Sequence, residues 1–172
     1  MPATHIVLAP GASGSIEQLA RHAVGLERRG YSVERIPLPT GNAERAIPAY
    51  RAALGPDFGT TVIGGQSYGG RVASLLAAEQ PPAALVCFAY PLHAPGRHDA
   101  WVERTAHWPR IACPVLLLSG ESDPFARIDL LRSAVKQLSN VRLVTYPGVG
   151  HGVRPILEAA LDEVDAFIRA NT

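Results

Sequence analysis

One stretch of the chain, residues 60–76, constrains the fold more than any other. A β-branched run ends at paired glycines, the second of which is Gly65, then Ser67 follows, and helical spacing begins after Gly69. A strand that passes straight into a helix leaves only a tight turn for Ser67. Glycines suit such a turn, because side chains would collide where the two backbones run close together. The pattern Gly65-x-Ser67-x-Gly69 is typical of a nucleophile elbow, which exposes a serine hydroxyl above a sheet.

Short apolar or alternating runs recur along the chain and are separated by segments with helical spacing. Six strands are predicted, over residues 5–9, 31–36, 60–64, 83–89, 115–118 and 141–146. Strands that alternate with helices predict an α/β fold with a mostly parallel sheet covered by helices on both faces. The length of 172 residues suits a single domain over residues 1–172.

Charge and apolar patterning exclude several classes of protein. The chain has 16 Lys and Arg against 15 Asp and Glu, so nothing indicates binding to nucleic acid or to a membrane surface. No apolar run is long enough to span a bilayer, and the N-terminus lacks the features of a signal peptide. We therefore expect a cytoplasmic protein. Cys87 and Cys113 have no partner at a metal-like spacing and are predicted to be buried free thiols.

An acid and a base follow later strands of the predicted sheet. Asp123 comes after the fifth strand and His151 after the sixth, and functional groups of open parallel sheets gather beyond the carboxyl ends of the strands. A serine hydroxyl needs a base to remove its proton, and the imidazole needs a carboxylate to orient it. The order Ser67, Asp123, His151 is that of α/β-hydrolases. We predict that these three residues form a catalytic triad.

Each member of this set has an alternative. The glycine–serine–glycine pattern alone also fits a structural turn, and Asp123 could cap a turn, as Asp-Pro often does. Glu121 is a rival acid after the same strand. Three further histidines lie near the same end of the sheet, but they precede the acid and break the expected order; they are His93, His98 and His107.

Two backbone N–H groups are predicted to form an oxyanion hole, which stabilises the negative oxygen of a tetrahedral intermediate. One is the N–H of Tyr68, directly after the nucleophile. The other is expected from the loop after the first strand, residues 11–14, where Ala12 is small enough to let the backbone approach a substrate. The alternative for this loop is an ordinary strand-to-helix turn.

Four segments of the chain resemble a known family. They are Gly65-Gln66-Ser67-Tyr68-Gly69-Gly70-Arg71-Val72-Ala73, Tyr90-Pro91-Leu92-His93-Ala94-Pro95-Gly96, Ser119-Gly120-Glu121-Ser122-Asp123-Pro124-Phe125 and Gly150-His151. The chain is similar to small α/β-hydrolases of the dienelactone-hydrolase-like group, above all to the hydrolase-like domain of testis-expressed and non-specific-lethal complex proteins. The resemblance implies a trimmed α/β-hydrolase fold that starts at the usual third strand. Relatives usually have histidine where this chain has Pro10, which bears on the oxyanion loop.

The segment around His93 is the other candidate functional region. Our hypothesis is a substrate pocket beside Ser67, lined by Gly11, Gln66, Tyr90, Leu92, His93 and Trp108. The alternative is a packed loop in which His93 bonds to backbone. The spacing of the histidines fits no common metal-ligand pattern, so no metal and no cofactor are expected.

The first functional hypothesis is a serine hydrolase that cleaves a small ester or thioester through an acyl-enzyme. About twenty residues separate Phe88 from Cys113, too few for a large lid, so an open site for a short acyl substrate is expected. The alternative is a non-catalytic binding module that keeps the fold. Perhydrolysis or acyl transfer could use the same triad. The sequence is compatible with a monomer or a homodimer.

Overall fold

A computed structural model of the protein describes residues 4–172 and contains one six-stranded sheet. The strands are β1 (His5–Ala9), β2 (Ser32–Arg35), β3 (Val62–Gln66), β4 (Ala84–Phe88), β5 (Val115–Gly120) and β6 (Val141–Tyr146). Their order across the sheet is β2-β1-β3-β4-β5-β6, and every neighbouring pair is parallel. The predicted α/β-hydrolase sheet is confirmed.

The burial of each strand follows its position in the sheet. All residues of the central strands β4 and β5 are buried, since helices cover both faces of a parallel sheet and leave no solvated side. The edge strand β2 instead alternates between exposed and partly buried residues. Cys87 and Cys113 are buried free thiols, as predicted.

Helices form a layer on each face of the sheet. They are α1 (Ala20–Glu27), α2 (Ala43–Leu54), α3 (Tyr68–Glu79), α4 (Trp101–Arg104), α5 (Ile128–Ala134) and α6 (Leu157–Asn171). One hydrophobic core contains the buried faces of α2, α3 and α5, and the other contains those of α1 and α6. No helix within residues 4–172 is long and apolar enough to cross a membrane.

Helices α1 and α6 pack closely although they lie far apart in the sequence. A Cβ at Gly25 would lie 2.2 Å from Cδ1 of Leu161, so α1 has room for α6 only because it carries no side chain at this point. Arg29 donates hydrogen bonds to Asp162 and to Glu158, at 2.6 and 3.0 Å respectively. These contacts fix one layer of the fold on the side of the sheet that also flanks Ser67.

The segment between β4 and β5 forms short helical turns and α4 rather than a lid. Tyr90, Leu92 and Trp108 from this segment are each at most 2% exposed and belong to the core beneath α2 and α3. Within the described residues, no large insertion covers the carboxyl edge of the sheet. This agrees with the predicted trimmed fold.

Candidate active site

Ser67 occupies the turn between β3 and α3, which begins at the very next residue. Its backbone has φ 48° and ψ −113°, in the left-handed region that costs a residue with a side chain about 1–3 kcal/mol. The Ser67 N–H donates a hydrogen bond to the carbonyl of Phe88, 2.8 Å away, which anchors the turn to β4. The hydroxyl is therefore held above the sheet by a strained, well-bonded turn.

The glycines beside Ser67 are required by close backbone contacts. A Cβ at Gly65 would lie 2.3 Å from the carbonyl oxygen of Ala9, and one at Gly69 would lie 2.1 Å from the same oxygen. Both distances are far below van der Waals contact, and the obstructing atom belongs to β1. The sequence pattern thus reflects the approach of β1 to both arms of the elbow.

Ser67, His151 and Asp123 form a continuous chain of hydrogen bonds. Nε2 of His151 lies 2.9 Å from Oγ of Ser67, and its Nδ1 lies 2.8 Å from Oδ2 of Asp123. A carboxylate only accepts hydrogen bonds, so Nδ1 carries the proton and Nε2 is left to accept the serine proton. The Asp123 side chain is fully buried, whereas that of His151 is 25% exposed. The arrangement suits proton transfer from Ser67.

The loop after β5 positions Asp123 through backbone bonds. Oδ1 of Asp123 accepts a hydrogen bond from the N–H of Phe125 at 2.7 Å, and the N–H of Ser122 donates to the carbonyl of Val149 at 3.0 Å. The second bond ties the acid loop to the loop that carries His151. The phenyl ring of Phe125 also lies against the imidazole, with centroids 4.4 Å apart.

Glu121, the rival acid, points away from His151. Its Oε1 accepts a hydrogen bond from Oγ1 of Thr145 at 2.8 Å and lies 3.5 Å from a guanidinium nitrogen of Arg132. The contact with Thr145 places Glu121 beside β6. Asp123 is therefore the carboxylate that the structure brings to the imidazole.

His93 is fully buried and binds backbone, which was the alternative to a pocket role. Its ring Nε2 accepts a hydrogen bond from the backbone N–H of Arg127 at 3.0 Å. The backbone N–H of His93 donates to the carbonyl of Phe125, also at 3.0 Å. Its Nδ1 lies 2.9 Å from the carbonyl of Ala94. His93 thus connects the segment after β4 to the loop that carries Asp123.

The predicted lining of the pocket is wrong for four residues, Tyr90, Leu92, His93 and Trp108. Their side chains are at most 2% exposed and do not line the cavity at Ser67. The Tyr90 hydroxyl donates to the carbonyl of Arg104, and its ring packs edge-on against Trp108 with centroids 5.0 Å apart. Their place after β4 suggested the correct edge of the sheet, but their bulk is used in the core.

The other two histidines of this segment lie apart from Ser67. Nε2 of His107 is 2.8 Å from Oγ of Ser74 in the core, and burial lowers the pKa of His107 to about 4. The ring of His98 packs against that of His93, with centroids 4.8 Å apart. Within residues 4–172, no three His, Cys, Asp or Glu side chains cluster so that they could hold a metal.

A cavity of about 650 Å³ opens at Ser67 and His151. Gly11, Ala12 and Gln66 line it on one side. The other side of the cavity consists of residues that sequence analysis missed, from α1 and the turn before it and from the start of α6 and the segment leading into it. They are Glu17, Gln18, Ala20, Arg21, His22, Gly152, Val153, Arg154 and Leu157, with Phe125 beside His151.

Gln18 organises the loop after β1. Its Oε1 accepts a hydrogen bond from the N–H of Gly11 at 3.1 Å, and its amide nitrogen bonds to the Ser13 hydroxyl. The Gly11 N–H is therefore engaged, whereas the N–H groups of Ala12 and Tyr68 have no hydrogen-bond partner within residues 4–172. The spacing Ser15-x-x-Gln18 also fits a helix-capping pattern, so the sequence alone does not indicate that Gln18 bonds to this loop.

Comparison with known proteins agrees with this architecture. A family model described as an alpha/beta hydrolase domain matches residues 26–171. No curated protein was found to match the chain.

Three solved structures illustrate the likeness in fold. A monoacylglycerol lipase of Paleococcus ferrophilus is 15% identical with a TM-score of 0.81, and the match covers 98% of this chain and 95% of that one. Est1E of Butyrivibrio proteoclasticus, solved with ferulic acid bound, is 18% identical with a TM-score of 0.80, covering 98% and 89%. A CIB-like hydrolase of Thermoplasma acidophilum is 20% identical with a TM-score of 0.76, covering 96% and 87%.

Proposed function

Because the chain belongs to the alpha/beta hydrolase domain family, we propose that it is a serine hydrolase that cleaves a small ester or thioester. The observation that carries the proposal is the hydrogen-bonded chain from Asp123 through His151 to Ser67. Each residue type matches the role that its position requires. Ser67 is the nucleophile on a strained turn, His151 is the base whose Nε2 accepts the serine proton, and Asp123 is the buried carboxylate. We also propose that the protein is related to the dienelactone-hydrolase-like group, which its sequence motifs resemble.

In the proposed acylation step, Oγ of Ser67 attacks the carbonyl carbon of the substrate while Nε2 of His151 takes its proton. Asp123 holds the imidazole in the required tautomer and stabilises its charged form. The negative oxygen of the tetrahedral intermediate accepts hydrogen bonds from the N–H groups of Tyr68 and Ala12. His151 then returns the proton to the leaving alcohol or thiol, which departs and leaves the acyl group on Ser67.

In the proposed deacylation step, water attacks the acyl carbonyl and gives a proton to His151. The second tetrahedral intermediate collapses, the acid is released, and the proton returns from His151 to Oγ of Ser67. Names of structural neighbours, a monoacylglycerol lipase and Est1E with ferulic acid bound, support ester cleavage as the reaction class. No cofactor takes part in either step.

Labelling with a fluorophosphonate probe tests the proposal, since the probe reacts with an activated serine. We expect the wild-type protein to be labelled and to hydrolyse p-nitrophenyl butyrate, and Ser67→Ala to do neither. Ser74→Ala is the control, because Ser74 is buried on α3 and its hydroxyl bonds to His107. If wild type were unlabelled, or labelled as strongly as Ser67→Ala, the enzyme proposal would fail in favour of a non-catalytic module.

A further inference from the structure

A second cavity, with a volume of about 620 Å³, lies beside the one at Ser67, between α1 and α6. The two cavities share Ala20 and Arg21 on α1 and Arg154 and Leu157 at the start of α6. The two cavities therefore adjoin along α1. We call this second cavity the arginine groove, after Arg21, Arg28 and Arg154, which line it.

The three arginines of the groove carry positive charge that the protein leaves unbalanced. Each is exposed, and none lies within 4.0 Å of a carboxylate oxygen among residues 4–172. A guanidinium is always protonated and presents several donors to an anion. Two carboxylates also line the cavities, Glu158 in the groove and Glu17 in the cavity at Ser67, and each is paired with an arginine outside the groove. Glu17 lies 3.8 Å from Arg35, and Glu158 lies 3.0 Å from Arg29.

An apolar strip runs between these charges. Val24 is 45% exposed, one of two large apolar side chains classed as exposed in residues 4–172. It lies between Arg21 and Arg28 on the same side of α1, at helical spacings of three and four residues. Ile156 and Leu157 are partly buried opposite it. The rise of an α-helix places Arg28 about 10 Å further along α1 than Arg21, so the groove suits an extended chain.

We propose that the arginine groove binds an acyl chain that ends in an anionic group. The apolar part of the chain would lie on Val24 and Leu157, and the terminal carboxylate or phosphate would pair with Arg28 and Arg154. This inference rests on the proposed function, because it describes the substrate of the same Ser67 site. It adds a substrate class that neither the family nor the structural neighbours specify.

Two esters of equal chain length test the inference in the wild-type protein. Mono-p-nitrophenyl suberate ends in a carboxylate where p-nitrophenyl octanoate ends in a methyl group. We expect a higher kcat/KM for the suberate ester, and we expect this preference to shrink as salt is added, since salt screens exposed charges. Equal values for the two esters, or a preference for octanoate, would overturn the inference while leaving the hydrolase proposal intact.

A double variant tests the residues. Arg28→Ala/Arg154→Ala should lower the ratio of kcat/KM for the suberate ester to kcat/KM for the octanoate ester by about tenfold. Each exposed charge pair contributes a factor of a few to this preference. Arg45→Ala is the matched control, because Arg45 is also an exposed helical arginine without an ion pair within the described residues but lies on α2. An unchanged ratio in the double variant, or an equal fall in Arg45→Ala, contradicts the role of the groove.

Binding to Ser67→Ala separates this inference from the proposed reaction, since it requires no turnover. By calorimetry we expect monomethyl octanedioate, which ends in a carboxylate, to bind more tightly than the neutral methyl octanoate, and the difference to disappear in the Ser67→Ala/Arg28→Ala/Arg154→Ala protein. Octyl phosphate in a third arm distinguishes a phosphate from a carboxylate as the preferred terminus. If neither anion binds better than methyl octanoate, the groove does not recognise an anionic chain, whatever the outcome of serine labelling.

Discussion

At the scale of single residues, the sharpest contrast is between the two carboxylates that follow β5. Asp123 bonds to Nδ1 of His151, whereas Glu121 bonds to Thr145. We expect Asp123→Asn to lower kcat by about 10³- to 10⁴-fold, because an amide donor at this position favours the tautomer that cannot take the serine proton.

Glu121→Gln is the matched control and should keep most of the activity, since its side chain does not reach the imidazole. Turnover of p-nitrophenyl butyrate by the two variants, each checked for folding by circular dichroism, gives the comparison. A larger loss in Glu121→Gln than in Asp123→Asn would reverse the assignment of the acid.

The burial of His22 leads us to expect that the stability of the protein depends on pH. His22 is 6% exposed and packs edge-on against Phe88. Burial lowers the pKa of His22 from 6.5 to about 4. Between these values the unfolded chain binds a proton that the native protein does not. The free energy of unfolding should therefore fall as pH drops from 6.5 towards 4, by up to about 1.4 kcal/mol per pH unit for this residue.

Urea unfolding at pH 7 and pH 5 measures this dependence. His22→Phe, which keeps an aromatic ring against Phe88, should flatten it. His98→Gln should not, because the ring of His98 is exposed. Some slope should remain in His22→Phe, because burial also lowers the pKa of His107. An unaltered slope in His22→Phe would rule out His22 as a source.

At the scale of elements, the junction of β3 and α3 depends on the clearance to β1. A methyl group at Gly69 would lie 2.1 Å from the carbonyl oxygen of Ala9, so β1 or α3 must move. We expect Gly69→Ala to destabilise the protein by about 1–3 kcal/mol, the usual cost of overpacking. It should also slow serine labelling, because the displaced strand leads into the loop that carries Ala12.

Gly59→Ala is the control for this prediction, since a Cβ at Gly59 would meet no atom within 4 Å. Denaturant unfolding and the rate of fluorophosphonate labelling are measured on both variants. If Gly69→Ala were as stable and as reactive as Gly59→Ala, the contact with β1 would not be what positions Ser67.

The elements also explain how far the sequence could predict this site. Six strands and the residues at their ends were readable, because parallel strands bring their carboxyl ends to one edge and each strand has a local apolar pattern. Most residues that line the cavity could not be predicted in this way. Tyr90 and Trp108 follow a strand in the right place, yet nothing local indicates that they pack into the core. Arg21 and Arg154 line the same cavities although more than a hundred residues separate them in the chain, so no spacing relates them.

At the scale of the whole molecule, the sheet separates two layers of helices that differ in what they contain. The layer of α2, α3 and α5 encloses most of the large buried aromatic side chains, including Tyr50, Tyr90 and Trp108. The opposite layer consists of α1 and α6, and its outer seam is the arginine groove. In our proposal, substrate recognition therefore uses the layer of α1 and α6.

The close packing of α1 on α6 couples ligand binding to the association of distant segments of the chain. A ligand in the groove touches both helices, so it binds the docked arrangement and adds its binding free energy to that docking. In hydrogen-exchange experiments on Ser67→Ala, octanedioate should slow exchange of α6 amides more than that of α2 amides, which lie on the other face. Equal protection of both helices would indicate general stabilisation. Selective protection of α6 would instead make this helix a reporter of whether substrate is bound.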